Sequence, residues 1–520
     1  RPASNVDDLA TRLSEVQVGE VDEAARERNY EEAVAAATAV VYSTIGDLEE
    51  LCGSNKLSLD ALKDKIKKIP QNAGGESPFL HAACRNKKVS LEIVQCLLDA
   101  FPEASGVSTY AFCPDGETTA YPLHLACYIE DCPDSVIKLL MEKNPSALSH
   151  LCIVEDGVDR EREYEGYGAG LPLHYYLMRQ SNIDSATVRM LVEANPESLE
   201  TTDDETGLTP LHTILSNPNI AGLNDILTFM AETNPTTIRV SDRYGRAPLQ
   251  IACIHTSVDF QTVELLVNCW PGAVRQYDEM RELPIHALCM NGGRYDIWMD
   301  DTAALDILNL LVDVHPQSVT ETDGDGYLPI HLAARWGKSP DFCKVLIDAY
   351  PESVRLAGSW GLPIHDACQG GRLDTVKYIF ELYPESINVR SNGGLLPIHE
   401  AAYWIGKEKA EIIKWLLTQD PDCASKTTAE SRCLPLHLAC GSSEVSEVNL
   451  RALQLLFDAH PEAIFTNNAS GKTPLNCARE QEDSSFSGVV DFLDAQLTYV
   501  RRDGDNTVRR RIIRARRPPP

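Results

Sequence analysis

Apolar residues recur along most of this chain in blocks that fit short helices. In "DTVKYIFELY" (374–383), Val376, Ile379 and Phe380 follow the spacing of one helix face. The preceding block, "GLPIHDAC" (361–368), has a proline that suits the first position of a helix, because the N–H at that position has no intrahelical partner. A Tyr-Pro step ends the second block, since the residue before proline is disfavoured in the α region. The pattern predicts a pair of helices.

The same helix-pair pattern returns along the chain. Its proline phrase occurs eleven times, at ESPFLHAAC (76–84), TAYPLHLAC (119–127), AGLPLHYYL (169–177), GLTPLHTIL (207–215), GRAPLQIAC (245–253), RELPIHALC (281–289), GYLPIHLAA (326–334), WGLPIHDAC (360–368), GLLPIHEAA (394–402), RCLPLHLAC (432–440) and GKTPLNCAR (471–479). A phrase that recurs at nearly regular spacing predicts a stack of similar units. Longer spacings mark insertions at 106–119, 149–168 and 291–304.

One copy carries the first four residues of a family signature. Thr209-Pro210-Leu211-His212 resembles the ankyrin repeat, whose signature is T-P-L-H-x-A within about 33 residues. Most other copies replace the threonine by leucine and end in "xPES", a form similar to the arrays of diatom-type algae. The resemblance covers about residues 72–500. It implies an all-α, ankyrin-repeat α-solenoid of about eleven helix-turn-helix repeats with an N-terminal helical cap.

Three segments are expected. Residues 1–70 form an N-terminal helical cap or docking segment, with helices at 21–45 and 58–69. Residues 71–500 form the repeat array. Residues 501–520 form an Arg-rich C-terminal tail.

Nine of the thirteen histidines occupy one slot of the phrase. The resemblance implies that these histidines are structural and form hydrogen bonds across the turn between neighbouring repeats. Gln250 and Asn476 stand in the same slot, and both side chains donate and accept hydrogen bonds as a neutral imidazole does. The nine are His81, His124, His174, His212, His286, His331, His365, His399 and His437.

A protein-binding surface is expected where the first helices and turn tips line the concave side of such an array. Aromatic side chains and arginine are enriched at the cores of interfaces. The candidates just past the small residues of the first helix, or at the turn tips, are Tyr327, Trp336, Trp360, Gln369, Tyr403 and Trp404. The expected function is therefore a non-enzymatic interaction scaffold or adaptor.

Charge limits the alternatives. The net charge is −30, and residues 501–520 contribute eight Arg against two Asp. An acidic body repels nucleic acid and anionic membrane and favours a protein partner with a basic rim. A tether to nucleic acid or anionic lipid stays open only through the tail residues Arg509, Arg510, Arg511, Arg514, Arg516 and Arg517. The other open alternative is a structural subunit of a larger stable assembly.

No catalytic or cofactor motif emerges. The chain lacks a G-x-S-x-G elbow, a P-loop and an H-E-x-x-H helix, so we expect no enzymatic activity, cofactor or metal. Cysteines are dilute, and seven of the sixteen fall at or next to an apolar slot of the phrase, which favours a reducing, intracellular setting in the cytoplasm or nucleus. An organelle stays open because the N-terminus, "RPASNVDD", looks processed or truncated.

Overall fold

The fold is seen in a computed structural model of the 520-residue chain. It describes residues 43, 46–69, 78–108, 120–152, 169–179, 183–203, 206–217, 220, 222–255, 258–290, 301–404, 407–441, 447–480 and 487–503. The Arg tail residues 509–517, most of the predicted helix at 21–45 and most of the three insertions lie outside the described residues.

The described residues form an all-α fold of repeated helix pairs, as the sequence predicts. The first helices of repeats one to eleven are Phe79–Cys84, Pro122–Tyr128, Pro172–Leu177, Pro210–Leu215, Pro248–Ile254, Pro284–Met290, Pro329–Arg335, Pro363–Gly370, Pro397–Tyr403, Pro435–Gly441 and Pro474–Arg479. The second helices are Leu91–Ala100, Asp134–Lys143, Ser185–Ala194, Leu223–Thr233, Phe260–Cys269, Asp301–Val314, Pro340–Ala349, Leu373–Leu382, Lys409–Gln419, Glu447–Ala459 and Ser487–Asp503.

A short 3₁₀ helix follows the second helix in repeats one to ten, and the sequence analysis did not predict it. In repeat seven, Tyr350 ends the second helix with φ −142° and ψ 81°, and Pro351 begins the 3₁₀ helix. The ten segments are Pro102–Gly106, Pro145–Ser149, Pro196–Leu199, Thr237–Arg239, Pro271–Arg275, Pro316–Thr320, Pro351–Arg355, Pro384–Asn388, Cys423–Ser425 and Pro461–Phe465.

The described chain divides into two compact units between Arg243 and Tyr244. Repeats one to four lie in the first unit and repeats five to eleven in the second. Within the second unit, one apolar core runs from Ala334 to Leu493, built from the facing sides of successive helix pairs. Each unit is thus a helical stack whose repeats bury apolar surface against their neighbours.

The N-terminal residues that the structure describes continue the first stack. Residues 46–53 are helical, and Ser58 caps the helix Leu59–Ile66 by accepting from the backbone N–H of Ala61. Asn86 of repeat one donates to the carbonyl oxygens of Cys52 and Ser54, both at 2.8 Å. Asn217 of repeat four likewise donates to the carbonyl oxygen of Leu177 of repeat three, at 3.0 Å. Residues 46–66 therefore occupy the place of a further helix pair.

Turn tips are joined by backbone hydrogen bonds between successive repeats. The N–H of Gly324 donates to the carbonyl oxygen of Met280 at 2.8 Å, and the N–H of Asn392 donates to that of Trp360 at 2.7 Å. A Cβ at position 324 would lie 2.4 Å from the Met280 oxygen, so only glycine permits this approach. The tips are held in register at a fixed spacing.

Candidate partner-binding surface

The repeat histidines join neighbouring repeats. In repeat eight, His365 Nδ1 accepts from the backbone N–H of Leu362 at 3.1 Å, where the first helix begins. Because Nδ1 is an acceptor, the proton lies on Nε2, which faces the carbonyl oxygen of Val389 at 3.1 Å. The same pair of contacts recurs at His124, His174, His286, His331, His399 and His437.

The remaining slots vary this arrangement. His81 Nε2 lies 2.9 Å from the carbonyl oxygen of Ala120, and His212 Nδ1 accepts from the N–H of Thr209 at 3.3 Å. Gln250 reproduces both contacts, since its Oε1 accepts from the N–H of Ala247 and its Nε2 donates to the carbonyl oxygen of Glu282, each at 2.8 Å. These contacts support the structural role predicted for the histidines, which stays a prediction.

Burial keeps these imidazoles neutral. It lowers the pKa of His331, His365 and His399 to about 4, against an ordinary 6.5. A neutral ring is the form that accepts at one nitrogen and donates at the other. Within the described residues, no group of His, Cys, Asp and Glu is arranged to hold a metal ion.

Repeats seven to nine place a group of polar and aromatic side chains on their first helices and turn tips. We call it the carboxylate–aromatic cluster. Its members are Tyr327, Arg335, Trp360, Asp366, Gln369, Glu400, Tyr403 and Trp404.

Arg335 and Asp366 form the charged pair of this cluster. Arg335 Nε and Nη2 lie 3.0 Å and 2.7 Å from Asp366 Oδ1, across the boundary between repeats seven and eight. The guanidinium also lies over the ring of Tyr327, 4.5 Å from its centroid, and donates to the Tyr327 hydroxyl at 3.2 Å. Tyr327, a predicted partner-binding residue, is thus half-buried and engaged within the protein.

Glu400 is the second carboxylate, and it is fully buried. Trp360 Nε1 donates to Glu400 Oε1 at 2.7 Å, and Gln369 Nε2 lies 3.4 Å from Oε2. Burial raises the pKa of Glu400, although the hydrogen bonds from Trp360, Gln369 and Trp404 oppose the shift. Three of the predicted residues, Trp360, Gln369 and Trp404, therefore meet at one carboxylate.

Asp366 has the most perturbed carboxyl of the cluster. Burial, with the nearby Glu400, outweighs the attraction of Arg335 and raises the pKa of Asp366 to about 7. Its Oδ1 is paired with Arg335, but among the described residues its buried Oδ2 has no hydrogen-bond partner. Buried carboxylates with incomplete pairing are costly to keep, and they cluster at functional sites.

Three large aromatic side chains of the cluster remain open to solvent. Trp360, Tyr403 and Trp404 are 36%, 46% and 43% exposed. The rings of Tyr403 and Trp404 meet edge to face, with centroids 5.5 Å apart. Trp336, which was predicted to lie on the same surface, is less exposed than these three and is half-buried. It follows directly after the first helix of repeat seven.

Sequence reasoning did not single out Asp366 and Glu400. A signal was present, because both directly follow the repeat histidine, where other copies have residues such as Leu125, Ala287 or Leu332. A charged residue at an otherwise uncharged slot of a buried helix requires a partner. Its partners here are the side chains that line the surface.

Arg509, Arg510, Arg511, Arg514, Arg516 and Arg517 lie outside the described residues. The tether through these arginines therefore stays a prediction. None of the described helices is both long enough and apolar enough to cross a membrane.

A family model matches part of the described chain. Residues 346–401, which include Asp366 and Glu400, match the model of a family described as ankyrin repeats (many copies). Among solved structures, the human ASB11 ankyrin repeat domain is 20% identical to this chain. The match covers 48% of this chain and 98% of that one, with a TM-score of 0.33.

Residues 346–401 thus carry the ankyrin repeat pattern, and the helix pairs before and after them repeat the same arrangement. Ankyrin repeats are in general protein–protein interaction modules and are typically non-enzymatic.

Proposed function

We propose that this chain is a scaffold that binds a partner protein through the carboxylate–aromatic cluster of repeats seven to nine. The observation that carries the proposal is the exposure of Trp360, Tyr403 and Trp404 around two buried carboxylates. Aromatic side chains at the centre of an interface often dominate its binding energy. Here they are held in place by hydrogen bonds and ring contacts before any partner arrives.

The position of these aromatics supports the proposal. The apolar core of repeats seven to eleven is built from other residues, so the open faces of Tyr403 and Trp404 are not required for stacking. Their neighbour Glu400 accepts a hydrogen bond from Trp360 and so fixes that indole ring. A fixed anchor loses less side-chain entropy on binding than a free one.

The test is affinity capture from the cell of origin with the full chain, followed by mass spectrometry. The variants are Trp404→Ala and Trp360→Ala. The matched control is Phe465→Ala, which removes an equally exposed aromatic, 49% open, from the last 3₁₀ helix. We expect the two tryptophan variants to lose at least ninety per cent of a specifically captured protein while the control keeps it. Equal capture by all three would refute the assigned surface.

A further inference from the structure

The cluster contains one arginine–carboxylate ion pair, and at the equivalent place one repeat later the carboxylate is present but the arginine is not. Between repeats seven and eight, the fourth residue after the repeat histidine is Arg335, and it pairs with the acidic residue that follows His365. One repeat further on, the acidic residue is kept as Glu400. The residue in the position of Arg335 is the neutral Gln369, whose Nε2 lies 3.4 Å from Glu400.

Charge is therefore unbalanced at this point of the stack. Asp366 and Glu400 are both buried, and Arg335 is the cation that reaches the first of them. The side chains that form hydrogen bonds with Glu400 are those of Trp360, Gln369 and Trp404, and all three are neutral. Asp366 Oδ2 is buried and has no hydrogen-bond partner among the described residues. A buried carboxylate that has no cation paired directly with it attracts one, because little water screens its charge.

The surroundings of Glu400 suit a particular kind of cation. The indole rings of Trp360 and Trp404 and the ring of Tyr403 are open beside it. Cations bind to the faces of such rings, and tryptophan binds them best. We infer that the partner presents an arginine side chain whose guanidinium lies on these rings beside Glu400. This inference rests on the proposed function.

Arginine fits better than lysine because the chain already uses it one repeat earlier. Arg335 stacks on Tyr327 and pairs with Asp366, so one guanidinium satisfies a ring and a carboxylate together. A planar guanidinium stacks on aromatic rings and is less strongly hydrated than an ammonium group. The partner would supply from outside the cation that position 369 lacks.

The first experiment uses three synthetic peptides that differ at one type of residue. The probe is a Gly-Ser peptide with two arginines, and the others carry two lysines or two citrullines, the neutral isostere of arginine. Tryptophan fluorescence of the full chain reports binding at low ionic strength, where attraction between charges is least screened. We expect the arginine peptide to bind at least fivefold more tightly than the citrulline peptide, with lysine between them.

Two variants and one control test where the peptide binds. Glu400→Gln removes the charge but keeps the shape of the side chain, and Gln369→Arg supplies an internal cation in the register of Arg335. Either change should weaken the binding of the arginine peptide at least fivefold. Glu352→Gln removes an exposed carboxylate from the 3₁₀ helix of repeat seven and alters the net charge by the same amount as Glu400→Gln. This control should change the affinity less than twofold.

Several results would overturn the inference. Equal weakening by Glu400→Gln and Glu352→Gln would show that the peptide senses only the overall acidity. Equal binding of the arginine and citrulline peptides would show that the site does not recognise a positive charge. If protein capture still depended on Trp404 in that case, the proposed function would stand without the arginine inference. Tighter peptide binding after deletion of residues 504–520 would assign the surface to the chain's own arginines instead of a partner's. Because Glu400→Gln perturbs the fold least, it decides the question if Gln369→Arg is unstable.

Discussion

Gln250 Nε2 donates to the carbonyl oxygen of Glu282 at 2.8 Å, in the place where other repeats use a histidine nitrogen. Its Oε1 accepts from the N–H of Ala247, so one neutral side chain connects repeats five and six as an imidazole does elsewhere. The position of the repeat histidine thus requires a side chain with one acceptor and one donor at a fixed distance. It does not require any property that only histidine has.

This equivalence predicts how substitutions at His365 behave. His365→Gln should keep both hydrogen bonds and change the free energy of unfolding by less than about 1 kcal/mol. His365→Ala should destabilise by about 1–3 kcal/mol, because the N–H of Leu362 and the carbonyl oxygen of Val389 lose their partner. Urea unfolding of the three proteins measures the difference. Equal losses for Gln and Ala would mean that ring packing, and not hydrogen bonding, is what the histidine contributes.

Acid should destabilise the array through the same residues. The pKa of His286, His331, His365 and His399 is lowered to about 4 by burial, whereas an unfolded histidine takes up its proton near 6.5. Between those values the unfolded state binds more protons, so the free energy of unfolding falls as the pH drops from 6.5 towards 4. The raised pKa values of Asp366 and Glu400 act in the opposite direction over this range.

The measurement is the urea midpoint at pH 7 and pH 5. A variant with glutamine at positions 286, 331, 365 and 399 is the control that isolates the histidines. Its midpoint should fall less than that of the natural sequence. Parallel pH profiles for the two proteins would rule out the histidines as the source of acid sensitivity.

The two buried carboxylates should respond differently to removal. Asp366→Ala leaves the partly exposed Arg335 without its ion-pair partner and should destabilise the array by about 2–4 kcal/mol. Glu400→Gln removes an unbalanced buried charge and should leave stability unchanged or raise it at pH 7. Thermal unfolding followed by circular dichroism compares them. A strong destabilisation by Glu400→Gln would show that its charge supports the fold.

Two turns carry avoidable strain, at Arg281 and at Arg432, which has φ 49°. Arg281 has φ 58°, a left-handed conformation, at the turn position where Gly326 and Gly394 have φ 83° and 75°. For an ordinary residue this conformation costs roughly 1–2 kcal/mol, which exceeds the entropic penalty of glycine. Arg281→Gly should therefore stabilise the protein by about 0.5–1 kcal/mol, while Arg281→Ala should not. Urea unfolding distinguishes the two, and equal stability of both variants would contradict the strain argument.

The sequence predicted the repeated helix pairs because Pro363 and its counterparts mark the first helices and apolar spacing marks the second. It did not predict the 3₁₀ helix after Tyr350, since a single 3₁₀ turn leaves no periodic signal. Trp360, Tyr403 and Trp404 of the candidate surface could be predicted from their positions at the turn tips and first-helix ends of the repeat. The buried pairing of Arg335 with Asp366 could not, because charged side chains on short helices usually face water and only tertiary contacts bring them together.

We propose that a partner binds to the first helices and turn tips of repeats seven to nine. Hydrogen–deuterium exchange of the full chain, with and without the captured partner, tests it most directly. Binding should slow exchange in residues 358–370 and 394–404, which carry Trp360, Glu400 and Trp404, and leave the second helices Leu373–Leu382 and Lys409–Gln419 unchanged. Protection confined to the second helices, or to repeats one to four, would contradict the account.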